Sequence, residues 1–174
     1  MFQDAYNFIQ DISGWDVSNG GNSQAMFNRA YSFNQDISGW DVSNWIGMGN
    51  LFDGASSFNQ DISNWDVSSV LNSCDYGCFT NMFRDATALS EANKCAIDAS
   101  FSINNYWNSH YDWSENQDCA GACFGDAVTD NCGTCDSNVS NDCTQDCAGT
   151  WGGALEDDEC GVCNGDNSSC ADEC

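Results

Sequence analysis

Met26-Phe27-Asn28-Arg29-Ala30-Tyr31-Ser32-Phe33-Asn34-Gln35-Asp36-Ile37-Ser38-Gly39-Trp40-Asp41-Val42-Ser43 decides the fold. It returns 25 residues later from Leu51-Phe52 and stands 25 residues earlier from Met1-Phe2. The period also holds for Ala5, Ala30 and Ala55, for Phe8, Phe33 and Phe58, for Ile12, Ile37 and Ile62, and for Trp15, Trp40 and Trp65. Apolar residues fixed at one spacing mean that each unit supplies one coil. A lone coil cannot bury its apolar side, so neighbours must stack on it. The alternation in Asp36–Ser43 reads as a strand with its edges, and Met-Phe-x-x-Ala as one short helical or 3-10 turn. The pairs Asn34-Gln35 and Asn59-Gln60 are expected to form amide ladders or to bond the turn backbone.

Outward from this core the pattern changes. A fourth unit opens at Met82-Phe83-Arg84-Asp85-Ala86, 31 residues after Leu51, so an insertion lies around Cys74-Asp75-Tyr76-Gly77-Cys78. Ser90 is a candidate N-cap for a helix over residues 91–97. The aromatics Phe101, Tyr106, Trp107, Tyr111 and Trp113 follow, and residues 87–114 read as a cap over the end of the stack. In the first unit Asn19-Gly20-Gly21-Asn22 replaces the usual apolar stretch, which predicts a looser coil there.

A different repeat follows. Asp118-Cys119-Ala120-Gly121 returns as Asp146-Cys147-Ala148-Gly149, and Cys132-Gly133-Thr134-Cys135 as Cys160-Gly161-Val162-Cys163, both shifted by 28. Cys143 is matched by Cys170, and Asp172-Glu173-Cys174 begins a further unit. Large apolar residues are too few here for a hydrophobic core, so covalent or ionic staples must replace it.

The first motif resembles the 25-residue repeat of the BspA-like leucine-rich-repeat surface proteins over about residues 1–113. The second resembles the acidic Asp-Cys-Ala-Gly…Cys-Gly-Val-Cys arrays of secreted marine bacterial proteins. Residues 160–166 are also similar to a segment of the ADAMTS cysteine-rich region. These resemblances imply a β-rich, leucine-rich-repeat-like solenoid with short helical turns and a cap over 1–114, and a disulfide-stapled, loop-rich tail over 115–174. They further imply adhesion or interaction at a microbial cell surface and calcium-stabilised stalks.

Thirteen cysteines in 174 residues point to an oxidising, extracellular compartment. Structural disulfides account for Cys74, Cys78, Cys95, Cys119, Cys123, Cys132, Cys135, Cys143, Cys147, Cys160, Cys163, Cys170 and Cys174 better than zinc does. A zinc ribbon on the two Cys-x-x-Cys pairs leaves Cys119, Cys143, Cys147 and Cys170 unexplained. Two pairing schemes stay open. One places four cysteines in each tail repeat, with Cys74–Cys78 stapling the insertion and Cys95–Cys123 tying the cap to the tail. The other joins every Cys-x3-Cys: 74/78, 119/123, 143/147 and 170/174.

The charge is −24, from 3 Lys and Arg against 27 Asp and Glu. That disfavours nucleic acid and anionic membranes and makes cations the natural counterpart. Calcium takes six to eight oxygens, and its candidate ligands are Asp118, Asp126, Asp130, Asp142, Asp146, Asp158, Asn164, Asp166 and Asp172. Asp136, Asp157 and Asn167 widen the set. Asn138-Val139-Ser140 and Asn167-Ser168-Ser169 have the form of glycosylation acceptors at Asn138 and Asn167. His110 is the lone histidine and reads as a cap residue. The acidic residues follow the repeat period, so no catalytic pair is expected. The Trp15, Trp40 and Trp65 row reads as core, with stacking on sugar rings as the rival.

The function expected is therefore non-enzymatic: an extracellular structural or adhesive protein, with a glycan-binding, lectin-like module as the alternative and no membrane insertion. Met1 reads as an internal residue of a longer precursor whose secretion signal lies upstream. An open first coil and an unassigned Cys174 predict head-to-tail association with copies of the chain into filaments, or continuation in a longer chain.

Overall fold

The structure is a computed structural model and describes residues 1–70 and 78–168. It divides into two compact units, Met1–Gln117 and Asp118–Cys174.

The expectation of a β-rich, leucine-rich-repeat-like solenoid is corrected. Among the described residues there is one α-helix, α1 (Glu91–Phe101), a 3-10 turn at Ser114–Asn116, and a single antiparallel pair of two-residue strands, β1 (Val128–Thr129) and β2 (Cys135–Asp136). That pair lies in the second unit, and the chain is loop-rich and disulfide-rich.

The repeat is built from turns, and the reason is local. The expected strand at Asp36–Ser43 is two tight turns in succession, closed by Trp40 N–H to the Ile37 carbonyl at 3.1 Å and Trp45 N–H to the Val42 carbonyl at 2.8 Å. Each turn is set by an aspartate whose Oδ1 accepts the N–H two residues on, Asp36 from Ser38 at 3.0 Å and Asp41 from Ser43 at 3.1 Å. Such side-chain-to-backbone bonds compete with strand formation. The Met-Phe-x-x-Ala stretch is no helical turn either. Asp4, Arg29, Gly54 and Asp85, at one place in successive units, have φ of 59°, 56°, 73° and 59°. A left-handed residue breaks both helix and strand.

The units nonetheless hold each other. Phe27 N–H donates to the Leu51 carbonyl at 2.9 Å and Arg29 N–H to Asp53 at 2.7 Å, and Phe52 and Gly54 donate likewise to Met82 and Arg84. Phe27, Phe52 and Phe83 stack in register, with centroids 5.7 and 5.6 Å apart and planes within 18°. Phe33 and Phe58 form a second stack at 6.1 Å. Trp40 and Trp65 are buried, and each indole N–H bonds the carbonyl of Ile12 or Ile37 in the preceding unit. Asn34 Oδ1 accepts Asn59 N–H at 2.8 Å and Gln60 Nε2 at 2.7 Å, so the amide residues make both ladder and turn bonds.

The first unit is not loose after Ser18. A Cβ on Gly20 would lie 2.8 Å from the Trp45 indole nitrogen, so Gly20 makes room for a fully buried ring. Gly21 accepts Ile46 N–H at 2.7 Å.

Ser90 caps α1 through Asn93 N–H at 3.3 Å, and the helix runs to Phe101, past the expected end at 97. Phe101 and Trp107 are fully buried against Phe79, while Tyr106 stays partly exposed. The insertion around Cys74 lies outside the described residues.

Candidate functional site

The tail places its aspartates at backbone amides. Asp118, Asp130, Asp146 and Asp158 each begin an Asp-x-x-Gly turn, at successive spacings of 12, 16 and 12. In every copy Oδ1 accepts two N–H groups, from residues two and four on: Ala120 and Ala122, Cys132 and Thr134, Ala148 and Thr150, Cys160 and Val162, all at 2.8–3.0 Å. The glycines at the fourth position have φ of 80°, 86°, 79° and 74°. Asp118 and Asp158 add a third bond through Oδ2, from Ala127 and Asn167 N–H. These backbone donors hold both carboxyls below the usual carboxylate range, led by Ala122 for Asp118 and Val162 for Asp158.

A glycine seven residues on completes three of the turns. A Cβ on Gly125, Gly153 or Gly165 would come within 2.1 Å of an aspartate Oδ2. The fourth copy has Ser137 there. A fixed pairing flanks the turns: Thr129 with Cys135, Gln145 with Trp151, and Asp157 with Cys163. The Asp-x-x-Gly repeat was readable as a structural signal, since a carboxylate before a left-handed glycine is a turn signature.

Of the other expected metal ligands, Asn164 lines an open cleft of about 430 Å³ with Asp157, Asp158, Glu159 and Asn167, and Asp126, Asp142 and Asp166 do not join it. Asp126, Asp142, Asn164 and Asp166 are exposed, and Asp172 lies outside the described residues. Asp166 accepts Ser168 N–H, and Asn164 sits at φ 55°. Among the described residues, one group of three acidic, cysteine or histidine side chains comes together, Cys147, Asp157 and Cys163. Its two sulfurs are bonded to each other, so it offers no thiolate to a metal.

The pairing scheme that joins every Cys-x3-Cys is corrected. Cys119 bonds Cys135, Cys132 bonds Cys143 and Cys147 bonds Cys163, with Cα separations of 5.9, 6.1 and 5.3 Å. The first and third bridges are the same link in successive repeats. Cys78, Cys95, Cys123 and Cys160 are also disulfide-bonded, so every described cysteine is oxidised. Cys74, Cys170 and Cys174 lie outside the described residues. With no described thiol left, the zinc-ribbon alternative loses its ligands. Disulfides of this density mark an extracellular protein. Among the described residues no helix is long and apolar enough to cross a membrane.

Both candidate glycosylation asparagines are exposed. Asn138 Oδ1 accepts Ser140 N–H and Oγ–H, and Asn167 Oδ1 accepts Glu159 N–H.

The first unit carries two adjoining clefts. One cleft of about 470 Å³ is lined by Thr80, Asn81, Arg84, Lys94, His110 and Trp113 among others. A second, of about 400 Å³, is lined by Arg29, Tyr31, Asp53 and Ser56. Arg84, Asp85 and Thr87 border both, so the two form one groove. Sequence reasoning left His110 as a cap residue and gave the cations no role. Only the stacking of units brings Arg29, Arg84 and Lys94, far apart in the chain, to one face.

Several bonds set the groove's shape. Arg84 donates from Nε to Asp53 Oδ1 at 2.9 Å and from a terminal nitrogen to Oδ2, and Asn28 also bonds the buried Asp53 carboxylate. The side-chain bond to Asp53 raises the Arg84 pKa above its ordinary value. Burial pushes the Tyr111 hydroxyl up to about 12, and its oxygen accepts Phe83 N–H at 2.9 Å. His110 Nε2 lies 3.0 Å from Thr80 Oγ1, and its Nδ1 faces Ser109 Oγ and the Tyr106 carbonyl. Of the expected tryptophan row, Trp40 and Trp65 are core, while Trp15 is 46% exposed.

A family model described as Mycoplasma protein of unknown function, DUF285, matches residues 1–94. No curated protein and no solved structure matches the chain.

Proposed function

The chain belongs to that family, and on that premise we propose that it is a non-enzymatic, extracellular structural or adhesive protein of a microbial cell surface, with its adhesive surface on Met1–Gln117. The observation that carries this reading is the groove shared by the two clefts of the first unit. It combines aromatic side chains, hydroxyls and charged groups of both signs on a stack of turns, which is the chemistry of a recognition surface. Four acidic residues of the tail, Asp118, Asp130, Asp146 and Asp158, serve as backbone acceptors, a structural use that supports the non-enzymatic reading.

The proposal extends to calcium for the tail alone. No Lys or Arg follows Lys94, and Asp126, Asp142, Asp157 and Asp166 face solvent. A hard cation would relieve their mutual repulsion. Chelation is expected to raise protease sensitivity after residue 118 and to leave the first unit unchanged. Equal resistance in excess chelator overturns the calcium part.

Adhesion is tested with microspheres that carry the full chain, settled on microbial and host cell layers. Retention that falls when Tyr31→Ala and Lys94→Ala are combined supports the reading. Retention indifferent to those changes, or none above that of uncoated spheres, refutes it.

A further inference from the structure

The cations of the larger cleft are already paired. Arg84 is held by Asp53, and Lys94 by Glu91. Asp85 also lines the cleft, is exposed, and enters neither pair. The lining therefore carries charged groups of both signs and no excess of positive charge. An anion would have to displace a carboxylate and would then face Asp85, while a cation would face Arg84 and Lys94. A neutral ligand rich in hydroxyls meets neither obstacle, because each hydroxyl both donates and accepts.

The donors and acceptors for such a ligand are set in place by the chain itself. Asp53 takes two donors of the Arg84 guanidinium and fixes its plane, and the remaining N–H groups are left to donate. His110 Nδ1 lies 2.9 Å from the Tyr106 carbonyl, which only accepts, so that nitrogen carries the hydrogen. In the neutral ring Nε2 then accepts the Thr80 hydroxyl at 3.0 Å, and the Thr80 oxygen keeps its lone pairs for an incoming hydroxyl. The ionised Asp85 carboxylate accepts only.

Trp113 supplies the apolar contact. Among the described residues its aromatic neighbours Phe83, Trp107 and Tyr111 meet it at 55°, 80° and 58°. None lies parallel to it, so no stacked ring covers an indole face, and Trp113 is partly exposed where it lines the cleft. Tyr6 and Tyr31 differ in this respect, since they stack on each other with planes 9° apart. The cleft volume of about 470 Å³ falls within the about 300–1,000 Å³ of small-molecule sites.

Resting on the adhesive reading above, we infer that this cleft binds a neutral hexopyranose, the end ring of an uncharged surface glycan. The apolar C–H face of the ring lies on Trp113. Its hydroxyls donate to Asp85 and Thr80 and accept from Arg84.

The test is saturation-transfer NMR of the full chain with methyl β-glucoside, methyl β-galactoside and methyl α-mannoside, beside glucuronate and glucosamine as charged analogues. At least one neutral hexoside should bind more tightly than both charged sugars, and the three together show which hydroxyl configuration the cleft accepts. Its binding should not change with salt, since screening acts on charge. Asp85→Asn should weaken it about tenfold, the loss of one charge-assisted contact. Asparagine tolerates the left-handed φ of 59° at that place, so this variant keeps the fold. Trp113→Leu should weaken binding as well, and Asp85→Asn keeps the inference decidable if Trp113→Leu does not fold. Absence of binding by every neutral hexoside, tighter binding of glucuronate or glucosamine, weakening as salt rises, or binding indifferent to Asp85→Asn each overturns the inference. Microspheres still retained in any of those cases spare the adhesive reading. A chain that binds hexoside while its microspheres are not retained refutes the adhesive reading and spares the cleft.

Discussion

Phe52→Ala removes the central ring of the stack. Phe52 is fully buried, with Phe27 at 5.7 Å on one side, Phe83 at 5.6 Å on the other and Phe58 at 3.9 Å in its own unit. Truncating a buried phenylalanine costs about 3–5 kcal/mol, as lost transfer energy plus the cavity left behind. Neighbouring units are hydrogen-bonded through Phe27 N–H on one side and Phe52 N–H on the other, so the cavity cannot collapse freely and the upper half of that range applies. Whole domains have about 5–15 kcal/mol to lose. At about 4–8 °C per kcal/mol for a domain near a hundred residues, the melting temperature of the first unit falls by more than about 10 °C. Phe8→Ala is the control, because Phe8 is partly buried and belongs to the first unit of the stack. Its cost is about 1 kcal/mol, part of the burial energy of one ring. Urea unfolding followed by tryptophan fluorescence reads both. Equal costs for the two variants, or a Phe52→Ala cost below about 1 kcal/mol, would refute the view that ring stacking between units carries the first unit.

Ala25 holds φ 54° at the place where Asn50 and Asn81 hold 55° and 53°. Asn tolerates that conformation better than Ala, so Ala25→Asn should stabilise by about 0.5–1 kcal/mol, as read by thermal unfolding. Gly125→Ala forces Asp118 from its amides, whereas Gly14→Ala meets nothing within 4 Å. Limited proteolysis should therefore cut the tail of the first variant faster and leave the second like the parent. Acid acts on the same clamps. The folded pKa values of Asp118 and Asp158 lie below the unfolded value of about 3.9. Their stabilisation is thus complete above that value and is lost as pH falls through the lower folded values. Amide exchange at Ala122 and Val162 should accelerate only in that acidic window, and acceleration already near pH 5 would contradict it. Reduction should unfold the tail at neutral pH, since each bridge contributes about 2–4 kcal/mol. A tail that resists protease equally when reduced would show that the bridges are not its main support.

The 25-residue period, the Ser90 cap, the buried aromatic row and the oxidised cysteines were legible because each rests on local spacing or residue type. The absence of strands was not. Alternation around Ile37 and Val42 matches a strand, but Asp36 and Asp41 bond the N–H groups two residues on and close turns instead. The signal lay in the five-residue echo of Asp-Ile-Ser and Asp-Val-Ser, a turn spacing rather than a strand spacing. Left-handed φ at Arg29 and Asp85 had no sequence mark, since glycine occupies that place only at Gly54. In the tail, excess carboxylates suggested metal ligands, yet four of them bond backbone amides. Their shared glycine three residues on was the clue. The groove was invisible from the sequence because Arg29, Arg84 and Lys94 meet only after the units stack.

Retention of microspheres on microbial cell layers tests the central claim most directly, because it reads adhesion by the full chain itself. The account predicts that spheres carrying the chain are held above the level of uncoated spheres and that the combined Tyr31→Ala and Lys94→Ala changes lower that retention. Parent and variant retained alike, or neither above uncoated spheres, would contradict it.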